Sequence, residues 1–276
     1  MLAFLGDAYS MAYGLVNSMI LRLMFPGAVC LAYLLFEMLL PHSRNSLRSY
    51  VRSACFMGAS VAINTFVLEA AMAVVPTNKV APLAILDLSP LTTSESWPLK
   101  IAGWLAAAFV LSMASNGFYY WLHRAQHRFA WLWRFHRVHH SITEMSATSS
   151  YHHFTEDLFQ FTAVTVPMSF LLGVESGPVP WIVLTVASTH AYFVHSSANI
   201  NIGPLRYVIG DNRFHRIHHS LEERHFNRNF GTITPIWDVL FGTACFPKVG
   251  EWPKVGLADV PEPKTLREYL LMPFRP

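Results

Sequence analysis

The chain has 276 residues, of which 53% are hydrophobic and 13% charged, and its formal net charge is +3. Charge is about half of the roughly 25% that a soluble domain carries, and so small a positive excess argues against a nucleic-acid-binding surface. Three scattered cysteines, Cys30, Cys55 and Cys245, contain no Cys-x-x-Cys and suit a reducing compartment, not a disulfide framework.

The apolar surplus sits in blocks. The first residues lack a basic region and carry Asp7, so no cleaved secretory signal is expected. Leu23–Leu40 is apolar apart from Glu37, and Cys55–Val75 apart from Asn64 and Glu69; Ile101–Trp121 holds no charge. Each is long enough, at about 20 residues, to cross a bilayer as a helix. Leu158–Leu172 and Val179–Val194 are shorter, and the turn-like segment Gly173–Pro178 joins them into an expected membrane hairpin.

Basic residues set the expected orientation. Arg44, Arg48 and Arg52 follow the first block, and Arg124, Arg128, Arg134 and Arg137 follow the third. Lys79 and Lys100 follow the second, diluted by Asp87 and Glu95. The positive-inside rule then puts the first and third of these segments on the cytosolic side.

Histidines crowd behind the third block. Arg134–Ser141 reads RFHRVHHS, and Arg213–Ser220 reads RFHRIHHS. With 14 histidines in 276 residues, two copies of His-x-x-His-His are not a chance event. Neither are they units of a repeat protein, which would be alike over 20 or more residues, because the segments that follow are unrelated. On a helix, residues three and four apart share a face. His123 with His127, His136 with His139 and His140, and His215 with His218 and His219 therefore each aim imidazoles at one place. Neutral imidazoles are metal ligands, and so many exceed what one tetrahedral zinc takes, which implies two metals.

The donor set alone leaves Fe, Zn, Cu and Ni open. A zinc hydrolase lacks its His-Glu-x-x-His here, with no Glu beside these histidines in sequence. A carboxylate-type di-iron bundle would need paired Glu-x-x-His motifs, and a haem carrier would leave most of the histidines unused.

These residues resemble the membrane fatty acid hydroxylase/sterol desaturase superfamily. The match runs from His123/His127 through His136/His139/His140 and Phe193-Val-His195-Ser to His215/His218/His219. Asn229-Phe-Gly231 and Trp237–Thr243 resemble the family's closing segment. The resemblance implies metal ligands at His123, His127, His136, His139, His140, His190, His195, His215, His218 and His219, holding two iron ions that activate O₂. No catalytic residue beyond these ligands and no organic cofactor site is implied. His190 and His195 are more widely spaced than the hairpin pair of some relatives, and Tyr151-His-His-Phe154 departs from the family pattern, which leaves His153 as a pocket residue.

Other residues read more plainly. His42 is expected at the interface, His225 as structural or adjacent to the ligands, and Asp238 as a turn or cap. Asn64 and Glu69 line a substrate passage or pair between helices. Arg137 and Arg216 hydrogen-bond near the ligands or face lipid phosphates, and Phe129–Phe135 forms an aromatic belt.

The expected architecture is an all-α integral membrane protein, several transmembrane helices carrying a cytosolic histidine-rich helical cap. Its divisions are 1–100 for N-terminal membrane helices, 101–245 for the catalytic domain and 246–276 for a C-terminal tail. The expected function is O₂-dependent hydroxylation or desaturation of a fatty acyl, sterol or other isoprenoid lipid, in a bacterial inner membrane or endoplasmic reticulum with the site facing the cytoplasm. The alternative is a non-redox metal protein, a zinc hydrolase or metal transporter. No Gly-x-Gly-x-x-Gly follows a strand, and three cysteines cannot hold an iron–sulfur cluster. Electrons are therefore expected from a ferredoxin or cytochrome b5-like donor with its reductase, and no nucleic acid is expected as a partner.

Overall fold

The computed structural model describes residues 20, 24, 27–74, 85–173 and 178–275, apart from side chains within 68–74. The expectations about Asp7, the Glu69 side chain and Lys79 lie outside the described residues.

Helix α1 is Gly27–Leu39, α2 is Leu47–Val74 and α3 is Trp97–Arg128. Alanine-rich α3 opens on Pro98, where the missing N–H costs nothing. Its buried face carries Gly103, Ala107, Ala108, Ser112, Asn116 and Gly117, small enough for close neighbours. A Cβ on Gly103 would stand 1.6 Å from the Leu91 carbonyl, and one on Gly117 would stand 2.8 Å from the Trp237 ring. The helix breaks at Phe129, whose backbone is extended (φ −104°, ψ 119°), and α4, Ala130–His140, departs in a new direction.

A second long helix is irregular. Helix α5, Thr155–Gln160, runs through a π-helical turn at Phe161–Thr165 into α6, Val166–Leu171. Pro167 explains the wide turn, since its ring has no N–H and would collide with the carbonyl four residues earlier. After α6, Leu172–Gly173 (β2) pairs in parallel with Leu86–Asp87 (β1), tying this helix to the segment before α3. Helix α7, Val179–His195, packs along α3. Three short helices follow: α8 at Asn212–His218, α9 at Ile236–Leu240 and α10 at Leu266–Leu271.

Glu37 and the C-terminal segment close the fold around the histidines. Buried in α1, Glu37 accepts hydrogen bonds from the backbone N–H groups of Ala147 (2.7 Å) and Ser197 (3.0 Å), and from the Tyr50 hydroxyl (3.0 Å). The largest apolar cluster joins α2 and α4 to the C-terminal segment through Phe56, Val138, Ile142, Tyr151, Val255 and Tyr269.

Leu31 and Leu35 on α1, Phe66 on α2, Leu105 and Phe109 on α3, and Trp181 and Leu184 on α7 are all exposed. Outward apolar side chains on four helices suit contact with lipid. Among the described residues, α3 alone is long and apolar enough to cross a membrane. The expectation of several full spans is met only in part. The block at Leu23–Leu40 yields a described helix of only Gly27–Leu39. The block at Cys55–Val75 is described as far as Val74, the end of α2, whose Ser53, Ser60, Asn64 and Thr65 are buried polar residues. The hairpin arms are α5–α6 and the 17-residue α7.

Candidate metal centre

Four helix ends meet at the histidines. The last turns of α3 bring His123 and His127, α4 brings His136, His139 and His140, α7 ends on His195, and α8 brings His215 and His218 with His219 at its C-cap. Asp211 starts α8 by accepting the Phe214 N–H at 2.8 Å, the N-capping that orients its three imidazoles.

The nine rings divide into two groups. His123, His127, His136, His140 and His218 form one; His139, His195, His215 and His219 form the other, with ring nitrogens inside each group within 4.8 Å of one another. Each His-x-x-His-His is split between them. The pair one helical turn apart goes to one group, and the intervening histidine to the other. In α4 the pair His136/His140 joins the first group and His139 the second; around α8 the pair His215/His219 joins the second and His218 the first. The two octapeptides are thus reciprocal halves of one centre, and the halves touch where the His140 and His219 rings stack at 4.4 Å.

Hydrogen bonds at Nδ1 fix the tautomers. Nδ1 of His123 donates to the Phe230 carbonyl (2.8 Å), that of His139 to Tyr151 (2.9 Å), that of His195 to Ala191 (2.7 Å) and that of His218 to Arg228 (2.8 Å). A carbonyl only accepts, so these Nδ1 atoms carry the hydrogen and Nε2 presents a lone pair. Nε2 of His218 is buried without a partner, and Nε2 of His139 faces Nε2 of His195 at 3.1 Å. Lone pair against lone pair is repulsive until a cation lies between them. Burial holds the imidazoles of His136, His139, His140, His215 and His219 well below the usual histidine range, and that of His218 down to about 4. A proton is therefore a poor occupant. Two sets of neutral, converging nitrogens fit first-row transition-metal ions.

Sequence reasoning missed Glu156. In the first turn of α5, it accepts from His136 Nδ1 at 3.0 Å and from the Gln126 amide at 2.7 Å. This carboxylate–histidine arrangement raises the basicity of the imidazole toward a metal. Burial pushes the Glu156 carboxyl well above its ordinary range. His152 was also missed; its ring stacks on that of His139 at 3.8 Å, and burial lowers it to about 3. The signal was available only in part: Glu156 lies in the helix that follows the anomalous Tyr151–Phe154 segment, but contact with His136 depends on the fold.

The remaining expectations resolve individually. His190 is brought to neither group; five residues before His195 on α7, its ring lies against Gly210. His153 bonds to Thr155 Oγ1 and the Leu270 carbonyl, and His225 to Ser220 Oγ, both structural. His42 packs on the Trp252 ring at 4.1 Å. Arg137 donates to the Met272 and Arg275 carbonyls and Arg216 to that of Pro253, so both hold the C-terminal segment. Within the aromatic stretch, Phe129 and Trp131 are exposed, whereas Trp133 packs on His127 at 5.0 Å. Asn64 pairs with Asp157 and lines a cavity with Gln160 and Leu184.

Asp238 is a clamp. It accepts from the N–H groups of Phe230 (2.8 Å) and Gly231 (2.7 Å) and from the Thr243 hydroxyl (2.7 Å). Since the Phe230 carbonyl holds His123, the closing segment positions a member of the first group.

Three cavities reach the histidines, one of them, of about 660 Å³, touching only His127 among them, from the side of Trp121, Arg124 and Phe230; the other two touch several. One, of about 260 Å³, lies among α3, α7 and the π-turn helix, touching His123, His139, His195 and His215. The other, of about 350 Å³, is lined by His127, His140, His218, Trp133, Arg128 and Phe226.

The helical fold thus combines two buried histidine groups able to hold metal ions with outward apolar side chains on four helices. Residues 108–243 match the model of the fatty acid hydroxylase family. The chain is 32% identical over 156 residues to ornithine lipid hydroxylase OlsE of Rhizobium tropici, covering 54% of this chain and 43% of that protein. It is 24% identical over 125 residues to human alkylglycerol monooxygenase, covering 45% and 27%. A very-long-chain aldehyde decarbonylase, GL1-6 of Oryza sativa subsp. japonica, is 31% identical over 143 residues, covering 45% and 21%. The chain belongs to the fatty acid hydroxylase superfamily. The matches span less than half the length of these relatives, and no solved structure matches the chain.

Proposed function

We propose that this protein is an O₂-dependent lipid-oxidising enzyme of the membrane that holds two iron ions in its two histidine groups. The observation that carries the reading is the reciprocal division of nine neutral imidazoles into two adjoining groups. When bound there, an iron pair supplies O₂ activation and attack on an unactivated C–H bond. The chain's own residues do the rest. Backbone carbonyls and Glu156 hold the imidazoles with Nε2 inward, the 260 Å³ cavity presents the lipid to both groups, and burial excludes bulk water. Relatives named as an ornithine lipid hydroxylase and an alkylglycerol monooxygenase support a lipid substrate and hydroxylation as the outcome. The zinc-hydrolase or transporter reading is not favoured, because the carboxylate beside the imidazoles, Glu156, is committed to His136 and Gln126.

Hydroxylation converts C–H, O₂, two electrons and two protons into C–OH and water. We assign the electrons to a separate ferredoxin or cytochrome b5-like donor with its reductase, docking on the arginine-rich face around Arg124, Arg128 and Arg134. An acidic partner there makes turnover salt-sensitive. The same arginines support placing the site on the cytoplasmic side. The test is reconstitution of the iron-loaded protein with lipid extract, NAD(P)H and such a donor system. Lipid products heavier by one oxygen, dependent on both donor and O₂, support the reading; turnover from NAD(P)H alone contradicts the external donor.

A further inference from the structure

We infer that His190 binds a neutral oxygen of the substrate, an alcohol, ether or carbonyl oxygen lying a few bonds from the carbon attacked. The inference rests on the proposed lipid-oxidising function and narrows its substrate class. His190 lines the same cavity as His123, His139, His195 and His215. Five residues before His195 on one helix, it stands about 7.5 Å farther along the axis. Both its ring nitrogens are shielded from solvent, and neither makes a well-formed hydrogen bond, the Gly210 backbone being the polar group that approaches the ring. That is unusual, because buried polar groups in native proteins are nearly always paired. Outside the two histidine groups, the orphaned imidazole needs a different partner, and the cavity before it is where a ligand would be.

The wall around His190 agrees. Ser115 and Gln160 line the same cavity beside the apolar Val164 and Val194, so it is not built for hydrocarbon alone. Its described lining includes no lysine, arginine, aspartate or glutamate. At its His190 end, away from the histidine groups, the wall offers a phosphate or carboxylate no charged side chain, whereas a neutral oxygen accepts a hydrogen bond from the imidazole without needing one. Gly210 keeps the ring in place, since the loop closes directly behind it. A Cβ there would stand 2.8 Å from the Thr232 carbonyl and 3.8 Å from His190 Cε1.

The test separates this role from metal binding and from turnover. Protein in detergent micelles is loaded with Co²⁺, whose visible bands report approach to the metals without O₂ chemistry, and titrated with 1-hexadecanol or hexadecane. The wild type should respond to the alcohol at concentrations about tenfold lower than to the alkane. His190→Phe should keep two Co²⁺ per chain and lose that preference, and His190→Gln, which retains a donor, should keep part of it. Equal responses to the two probes in the wild type would overturn the proposal. So would Co²⁺ loss in both variants, which would make His190 a ligand. The readout needs no catalysis, so absence of lipid oxidation would count against the proposed function and leave this result intact.

Discussion

His139 and His195 face each other Nε2 to Nε2 at 3.1 Å, while each gives its Nδ1 hydrogen to a backbone carbonyl, Tyr151 for one and Ala191 for the other. Neither can donate to its neighbour, so the contact is stable only around a cation. The arrangement joins α4 to the end of α7, elements 56 residues apart. A metal ion bound there would link tertiary structure as well as supply chemistry.

Two iron ions per chain are expected by elemental analysis of protein prepared anaerobically with iron. His139→Ala should weaken the second group and His218→Ala the first, each lowering affinity for one ion on the order of 100-fold or more. Wild-type stoichiometry in both variants would contradict the division of ligands.

Glu156→Gln keeps the shape and removes the carboxyl group that accepts from His136. Affinity of the first group should fall by about 10–100-fold, with the second group unchanged. A Mössbauer spectrum with two distinguishable iron sites should show one altered and one retained. Two unaltered sites would remove Glu156 from the centre.

Acid should destabilise the metal-free protein. Unfolded imidazoles titrate near 6.5, whereas burial holds His218 at about 4 and His152 at about 3 in the folded state. Between those values the unfolded chain binds more protons, so stability falls as pH drops below 6.5 and is flat above it. Each such histidine contributes up to about tenfold in the folding equilibrium per pH unit. Urea midpoints at pH 7.5 and 5.5 check this, and equal midpoints would contradict it.

Asp238→Ala strips the Phe230 and Gly231 amides of their acceptor and frees the carbonyl that holds His123. A loss of about 3 kcal/mol is expected from two buried unpaired donors, read as a lower thermal midpoint together with weaker metal binding. An unchanged midpoint would show that Asp238 is only a turn residue.

Much of the centre was legible because metal ligation imposes spacing. Three helical segments carry eight histidines three and four residues apart, and these meet in space together with His195, which the family resemblance added. His190 does not, because its distance from His195 turns it away from the ligand cluster. Glu156 was invisible because its partner His136 is 20 residues away and no local pattern marks the contact. The extent of α2 was also not legible. Its Asn64 reads as an interruption in an apolar block but is buried and paired with Asp157 of α5. Glu37 is similar, a charge in an apolar stretch that accepts hydrogen bonds from both loops beside the histidines.

The central claim, O₂-dependent lipid oxidation at a histidine-bound metal pair, is tested most directly with ¹⁸O₂. Iron-loaded protein, its electron donor and lipid extract are incubated under labelled gas in unlabelled water, and the products are read by mass spectrometry. The account predicts lipid carrying one ¹⁸O atom per product hydroxyl, absent in the His139→Ala and His218→Ala variants. Lipid products whose new oxygen comes from water, with no O₂ consumed, would contradict it.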